Sequence, residues 1–287
     1  MKSKPFSIRM FLPDGDPDGL RIVKKSNWIG LGLVFPRHLL AEIKIREEFD
    51  RTGVYILLGD EEEDDDTEFP LIYIGQGAPV RPRLEQHVQN KSFWNKAVFF
   101  TTLDNSLNKA LVGHLELQLI KLAQEAKRSK LDNTNTPNFP PLNEDERADM
   151  DNFLDDLLEI LPILGVDVFQ IPQIRLASNL YFLNSKGISA TGYITTQGFV
   201  VKEGSTAVGS VNNSLLAHNR RVRDQLIKQN VLVPQGVALT FTQDYSFSSP
   251  SMAAAILRGC PSSGPALWKN SSGNSLKEIQ DAEIEKQ

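Results

Sequence analysis

Gly53-Val54-Tyr55-Ile56-Leu57-Leu58-Gly59 and Leu71-Ile72-Tyr73-Ile74-Gly75-Gln76-Gly77 decide the reading of this chain. Both runs are rich in β-branched and aromatic residues, so they predict two strands of a hairpin with an unusually long tip between Gly59 and Phe69. Gly75 and Gly77 let the backbone turn after the second strand. A helix is expected to begin near Pro79 to Pro82, where proline is tolerated. On that helix Arg83 and His87 stand four residues apart and share a face. Two phenols, a guanidinium and an imidazole are thus expected to converge on one concave spot.

Working outward, Ala97-Val98-Phe99-Phe100-Thr101-Thr102 predicts a third strand, after a loop anchored by Phe93 and Trp94. Leu111, Leu115, Leu119 and Leu122 recur at helical spacing and predict a long helix from Leu107 to Lys127, with Asp104 or Ser106 available as its cap. Glu116 falls among Leu115, Leu117, Leu119 and Ile120. A carboxylate drawn into apolar surroundings needs a cation or a donor, whereas one at the solvent edge of the helix needs neither. Both placements stay open on the residues alone.

The tripeptides Gly53-Val54-Tyr55 and Tyr73-Ile74-Gly75, with Arg83-x-x-x-His87 behind them, resemble the GIY-YIG nuclease family, with valine in place of the first isoleucine. The resemblance spans residues 51–138. It implies an α+β core in which a three-stranded antiparallel sheet carries both tyrosines and is flanked by helices. It also implies a metal-dependent endonuclease that hydrolyses phosphodiester bonds in DNA. In that scheme Glu116 holds Mg²⁺ or Mn²⁺, Arg83 makes a two-pronged contact to phosphate, and Tyr55 is the general base. Tyr73 and His87 orient the water or relay its proton. An asparagine after the glutamate helix, Asn135 or failing that Asn138, completes the site. Gly75 lets the chain pass close to the substrate, and Arg81 is a further substrate contact.

The flanks read as additions to this core. Residues 1–48 hold a short strand ending at Pro13, a turn over Asp14 to Gly19, and strands at Leu20–Val23 and Gly30–Phe35. Asp14, Asp16 and Asp18 alternate as in a calcium loop, but no glutamate stands at the twelfth position and Pro17 intrudes, so a plain turn is expected. Trp28 reads as a packing residue. Residues 49–143 form the nuclease-like domain. Asn143-x-x-Glu146 resembles a capping box and opens a helix over 144–161, read as a bridge (144–167) between halves. Residues 168–287 form a C-terminal α+β domain with short strands, a helix over 214–230, and a charged end. Its Ser-Phe-Ser-Ser-Pro-Ser-Met-Ala-Ala-Ala run, with Trp268 and Gly-x-Ser-Leu beyond, resembles a domain of unknown function appended to such nucleases. Arg220, Arg221 and Arg223 on its helix are candidate phosphate contacts, or simply an exposed helix face.

Composition bounds the options. With 31 Lys and Arg against 36 Asp and Glu, net charge is −5, not the balance a nucleic-acid binder usually shows. Much of that charge sits in the run from Asp60 to Asp66 and at Glu68, which reads as a solvated loop tip. No apolar run approaches the ~18 residues of a membrane span, and the basic start lacks the apolar segment of a secretory signal. A single cysteine, Cys260, excludes a disulfide framework and a cysteine-rich zinc site, so a cytoplasmic setting is expected. The sequence carries two other readings. One is a nucleic-acid-binding or adaptor protein that keeps the GIY-YIG fold without cleaving. The other is an interaction protein with no nucleic-acid role. Oligomeric state is not legible.

Overall fold

The computed structural model describes residues 5–59, 69–134, 139–170, 180–185, 187–195 and 198–284. It is a mixed α+β protein whose contacts divide it into two compact units, Met1–Gln170 and Ile171–Gln287. Asn135, Asn138 and the acidic run of residues 60–68 lie outside the described residues.

In the first unit the strands are β1 (Ile8–Phe11), β2 (Arg21–Lys25), β3 (Gly30–Pro36), β4 (Gly53–Gly59), β5 (Leu71–Gly77), β6 (Trp94–Thr102) and β7 (Lys130–Leu131). The helices are α1 (Leu40–Ile43), α2 (Arg81–Asn90), α3 (Lys109–Ala126) and α4 (Glu144–Ile160). The strands form one seven-stranded sheet in the order β1-β2-β3-β6-β4-β5-β7. Its neighbours pair antiparallel except for β5 with β7.

Alternation along β4 and β5 builds two cores on opposite faces of this sheet. Val54, Ile56, Leu58, Ile72 and Ile74 pack with Val112, Leu115 and Leu119 of α3 and Phe153 and Leu157 of α4. Tyr55 and Leu57 pack on the other side with Leu40 of α1 and Val80 and Leu84 beside and on α2. Because both faces are covered, β3 and β4 are apolar almost throughout, and β6 is so over Ala97 to Phe100, rather than alternating with polar residues.

The sheet is wider than the three strands expected. Beside the β6-β4-β5 trio it carries β3, β2 and β1 on one flank and β7 on the other. The first 48 residues are therefore not a separate unit: β3 runs alongside β6 over its whole length, from Gly30 opposite Thr102 to Pro36 opposite Lys96. Nor is α4 a bridge. Its buried face (Met150, Phe153, Leu154, Leu157, Ile160) belongs to the same core as α3. Trp28 packs against Phe100 and Phe153 at ring separations of 6.3 and 5.0 Å. The acidic side of α4 is also engaged, since Lys25 of β2 pairs with Asp156 and Glu159 and His114 of α3 with Asp151.

Local signals set the element ends. Glu146 accepts from the Asn143 backbone at 3.2 Å, closing the expected capping box. Asp16 accepts from Asp18 N at 2.9 Å, the bond of an Asx turn. The cap of α3 is Asn108, whose Oδ1 accepts from Ala110 N and Leu111 N at 2.9 and 3.1 Å. The sequence reading had placed it at Asp104 or Ser106. Those two residues instead bond to one another in the preceding turn, which delays the helix start.

The second unit contains β8 (Tyr181–Ser185), β9 (Ile188–Thr195), β10 (Gly198–Val201), β11 (Thr206–Val208), β12 (Leu232–Gln235), β13 (Ala238–Phe241) and β14 (Tyr245–Phe247). These make a four-stranded sheet, β14-β10-β9-β8, and a three-stranded one, β11-β13-β12. Its helices are α5 (Ala217–Lys228), α6 (Pro250–Arg258), α7 (Gly264–Leu267) and α8 (Leu276–Ile284). In the Ser-Ser-Pro-Ser-Met run Ser249 caps α6 by accepting from Met252 N at 3.1 Å, and Pro250 takes the first turn. Trp268 is fully buried, lies 4.4 Å from the Phe199 ring, and donates its indole N–H to Pro250 O. Among the described residues no helix is long and apolar enough to cross a membrane.

Loss of an asparagine cap costs about 1 kcal/mol. Asn108→Ala should therefore lower the unfolding free energy by about that much in a urea titration, while Asp104→Ala stays within about 0.5 kcal/mol of the parent.

Candidate functional site

The two tyrosines reach the same face because β4 and β5 pair with Tyr55 opposite Gly75 and Leu57 opposite Tyr73. The Tyr55 and Tyr73 rings lie 6.4 Å apart. A side chain at position 75 is impossible without rearrangement, since a Cβ there would sit 2.5 Å from the Tyr55 oxygen. Gly75 therefore admits the Tyr55 phenol, a reason found in the protein's own packing.

His87 projects from α2 between the two phenols, its ring 5.6 Å from that of Tyr55 and 4.7 Å from that of Tyr73. The Tyr55 oxygen and His87 Nε2 are hydrogen-bonded at 2.8 Å, and both residues are buried. Burial raises the Tyr55 pKa far above its ordinary value of 10, Tyr73 adds to this, and Arg83 offsets only part. Burial also lowers His87 to about 4, helped by Arg83 and Lys91. A protonated phenol beside a neutral imidazole fixes the direction of the bond: Tyr55 O–H donates and Nε2 accepts.

Tyr73 is likewise pushed upward by burial, with Arg83 pulling the other way. Burial works against the Arg83 cation, but the neighbouring Tyr55 and Tyr73 hold its pKa above the ordinary value. The Arg83 side chain is exposed, and it donates to Gln86 Oε1 at 2.9 Å. Glu116 is 8 % exposed, and burial lifts its carboxyl to about 7 against the pull of Arg83. Glu116 also acts electrostatically on both phenols, so Tyr55, Tyr73, Arg83, His87 and Glu116 form one interacting group. The apolar reading of the Glu116 position is the one the fold adopts.

Two residues that sequence reasoning passed over belong to this group. Lys91 caps α2, stands 4.2 Å above the Tyr73 ring and pairs with Asp132. It follows His87 by the same four-residue step that separates His87 from Arg83, a spacing visible in the sequence. Asn133 accepts from Ile74 N at 3.0 Å and donates to Ile74 O at 2.7 Å, so its amide extends the sheet beyond β7 and fastens the strand carrying Tyr73 and Gly75. Asn135 and Asn138, the asparagines the resemblance implies, lie outside the described residues.

The expected basic contacts fare unevenly. Arg81 pairs with Asp50 at 2.6 Å. Arg223 is 2 % exposed and donates to the carbonyls of Ile256 and Val208, so it braces α5 against its neighbours and is unable to reach a phosphate backbone. Arg220 is half-buried and donates to Asn212 O at 3.2 Å. Arg221 is half-buried as well.

The metal expectation is corrected. Among the described residues no group of three or more His, Cys, Asp or Glu is placed to hold a metal ion. Glu116 is a single carboxylate, near half protonation at neutral pH, and His87 Nε2 already accepts from Tyr55. Asp132 is paired with Lys91. A hard divalent cation favours ionised carboxylates, and here it would meet one partly protonated carboxyl and would draw its other ligands from water or substrate. The Mg²⁺ or Mn²⁺ cofactor and the metal-dependent endonuclease built on it fall together. In the free protein burial keeps the Tyr55 phenol protonated at neutral pH, so it would serve as a general base only after losing that proton. Even an unshifted phenol is ionised only about one part in a thousand at pH 7, and burial reduces that further.

Comparison with known proteins adds little chemistry. A family model described as a domain of unknown function (DUF4357) matches residues 180–280, within the second unit. No curated protein matches the chain, and no solved structure does.

Glu116 and His87 predict opposite pH dependences. The unfolded histidine titrates near 6.5 and the folded one near 4, so its contribution to stability is complete above 6.5 and is lost as pH falls towards 4. The Glu116 carboxyl titrates near 4.5 unfolded and about 7 folded, so its contribution is complete below 4.5 and is lost as pH rises through 7. Glu116→Gln should therefore gain stability over the parent between about pH 5 and about pH 8. Urea midpoints at the two pH values measure the difference.

Proposed function

We propose that this chain is a nucleic-acid-binding protein with a GIY-YIG-like core over residues 49–143 that binds without cleaving. The observation that carries this reading is the exposed Arg83 guanidinium beside two protonated phenols, in a group whose acids are unsuited to a metal ion. Two further features support it. The antiparallel β6-β4-β5 trio presents both tyrosines on one face with α2 beside them. The guanidinium fork matches phosphate oxygens in a way that an ammonium does not.

Phosphate binding needs only positive charge and donors, whereas hydrolysis also needs an activated water and stabilisation of the leaving oxygen. Arg83 supplies the first two requirements. Tyr55 has committed its proton to His87, and His87 stays neutral down to about pH 4. The acidic overall balance, −5, and the few cations at the site favour modest affinity. A cytoplasmic setting accords with the single cysteine, Cys260.

Fluorescence anisotropy with a short labelled duplex tests the proposal, run in EDTA and in Mg²⁺ with the products resolved on a gel. Binding of equal strength in both, with the duplex intact, is the expected result. Arg83→Gln, at an exposed position, should weaken it roughly tenfold or more, the effect of losing about 1.5–3 kcal/mol of charge-assisted hydrogen bonding. Absence of binding at low salt, or Mg²⁺-dependent strand scission, would overturn the reading.

A further inference from the structure

We infer that Lys91 is a second phosphate-binding residue, and that the sugar–phosphate backbone of a nucleic acid lies along the Arg83–His87–Lys91 face of α2. The inference rests on the nucleic-acid reading above and extends it by naming the face and a second contact.

Three observations point there. First, Arg83, His87 and Lys91 recur at four-residue steps, so they form a row on one side of α2. At a rise of about 1.5 Å per residue, the outer two backbone positions are roughly 12 Å apart. The two charged ends converge on Tyr73, Lys91 Nζ 4.2 Å from its ring centre and the Arg83 guanidinium beside its hydroxyl, which suits neighbouring phosphates of one strand. Second, both cations act on the same imidazole, which burial and their own charge keep neutral. The row is therefore two cations flanking an uncharged ring, with the half-buried Tyr73 ring beneath Lys91.

Third, Lys91 is held in place by contacts that an incoming phosphate can replace or retain. Its backbone N–H is fixed to His87 O at 3.0 Å, which anchors the residue at the helix end. Its ammonium lies over the Tyr73 face, a contact that survives when one N–H turns towards a new acceptor. Its ionic partner Asp132 is half-buried, with side chains 21 % (Lys91) and 34 % (Asp132) exposed, so the pair is reachable from solvent and a phosphate can compete for the ammonium. Asp132 thus acts as a stand-in acceptor in the free protein, and a phosphate takes its place on binding.

The acidic groups near the row set the limits of this surface. Asp132 faces Lys91, Tyr73 and His87, and Glu116 faces Arg83 and both phenols. Glu116 repels a phosphate from the Arg83 side to the extent that it is ionised, whereas Asp132 is the acceptor that a phosphate replaces at Lys91.

The decisive measurement is the salt dependence of binding to a labelled duplex in EDTA, since each lost phosphate contact lowers the slope of log K against log salt by about 0.9. Lys91→Met should bind roughly tenfold more weakly at low salt with the slope reduced by about one contact. Lys91→Arg should keep the parent slope, and Asp132→Asn, which frees the ammonium, should bind more tightly. Circular dichroism checks that each variant is folded. If Lys91→Met retains the parent slope while Arg83→Gln loses one contact, Lys91 is only a packing residue and this inference fails alone. Should Lys91→Met not fold, weaker or unchanged binding by Asp132→Asn overturns the inference in its place. If the parent protein binds no duplex at low salt, the nucleic-acid reading fails and this inference goes with it.

Discussion

Burial of β4 on both faces is the constraint on which the first unit depends. Every residue from Gly53 to Gly59 is buried, and the strand pairs with β5 on one side and β6 on the other. A strand with a period of two then sends Val54, Ile56 and Leu58 into the α3/α4 core and Tyr55 and Leu57 into the α2 core. A one-residue slip would exchange these sets and put a phenol among aliphatic side chains. Register is held by close fits: a Cβ at Gly53 would meet Phe100 O at 2.3 Å, and one at Gly75 the Tyr55 oxygen at 2.5 Å.

The same burial sets the chemistry of the site. Removing water from Tyr55, Tyr73 and Glu116 favours their neutral forms, and removing it from His87 does likewise. Arg83 opposes this for the three acids but reinforces it for the imidazole, because a cation repels a second cation. The group is consequently a largely uncharged hydrogen-bonding surface edged by Arg83 and Lys91. Such a surface is suited to accepting an anion and poorly suited to holding a divalent ion. Residue types and the electrostatics of a site are separate properties: among the described residues no group of three or more His, Cys, Asp or Glu stands ready for a metal ion.

The second unit shows how helix position overrides residue type. Arg220, Arg221 and Arg223 look alike as a basic run, yet Arg223 is on the buried side of α5 beside Val222 and Leu226. Its guanidinium satisfies two main-chain carbonyls that α6 and β11 would otherwise leave exposed to an apolar interior. An arginine in that place stabilises the fold and contributes nothing to a surface field.

Much of the fold was legible in the residues. Apolar runs located the strands from β1 to β6, and the capping box located α4. Period-two strands and four-residue helix steps put Tyr55, Tyr73, Arg83 and His87 towards one spot, whereas Glu116 was named only through the resemblance. Those rules are local, and local geometry follows from the order of residues. What the tertiary structure decided was whatever depends on partners distant in the chain. It joined β3 to β6, packed α4 on α3, brought Asn133 to Ile74 and Lys91 to Asp132, and sank Arg223 into the interior. Above all it decided protonation, because the charge state of a phenol, an imidazole or a carboxyl is fixed by how much water and which charges surround it, and those surroundings exist only once the chain has folded.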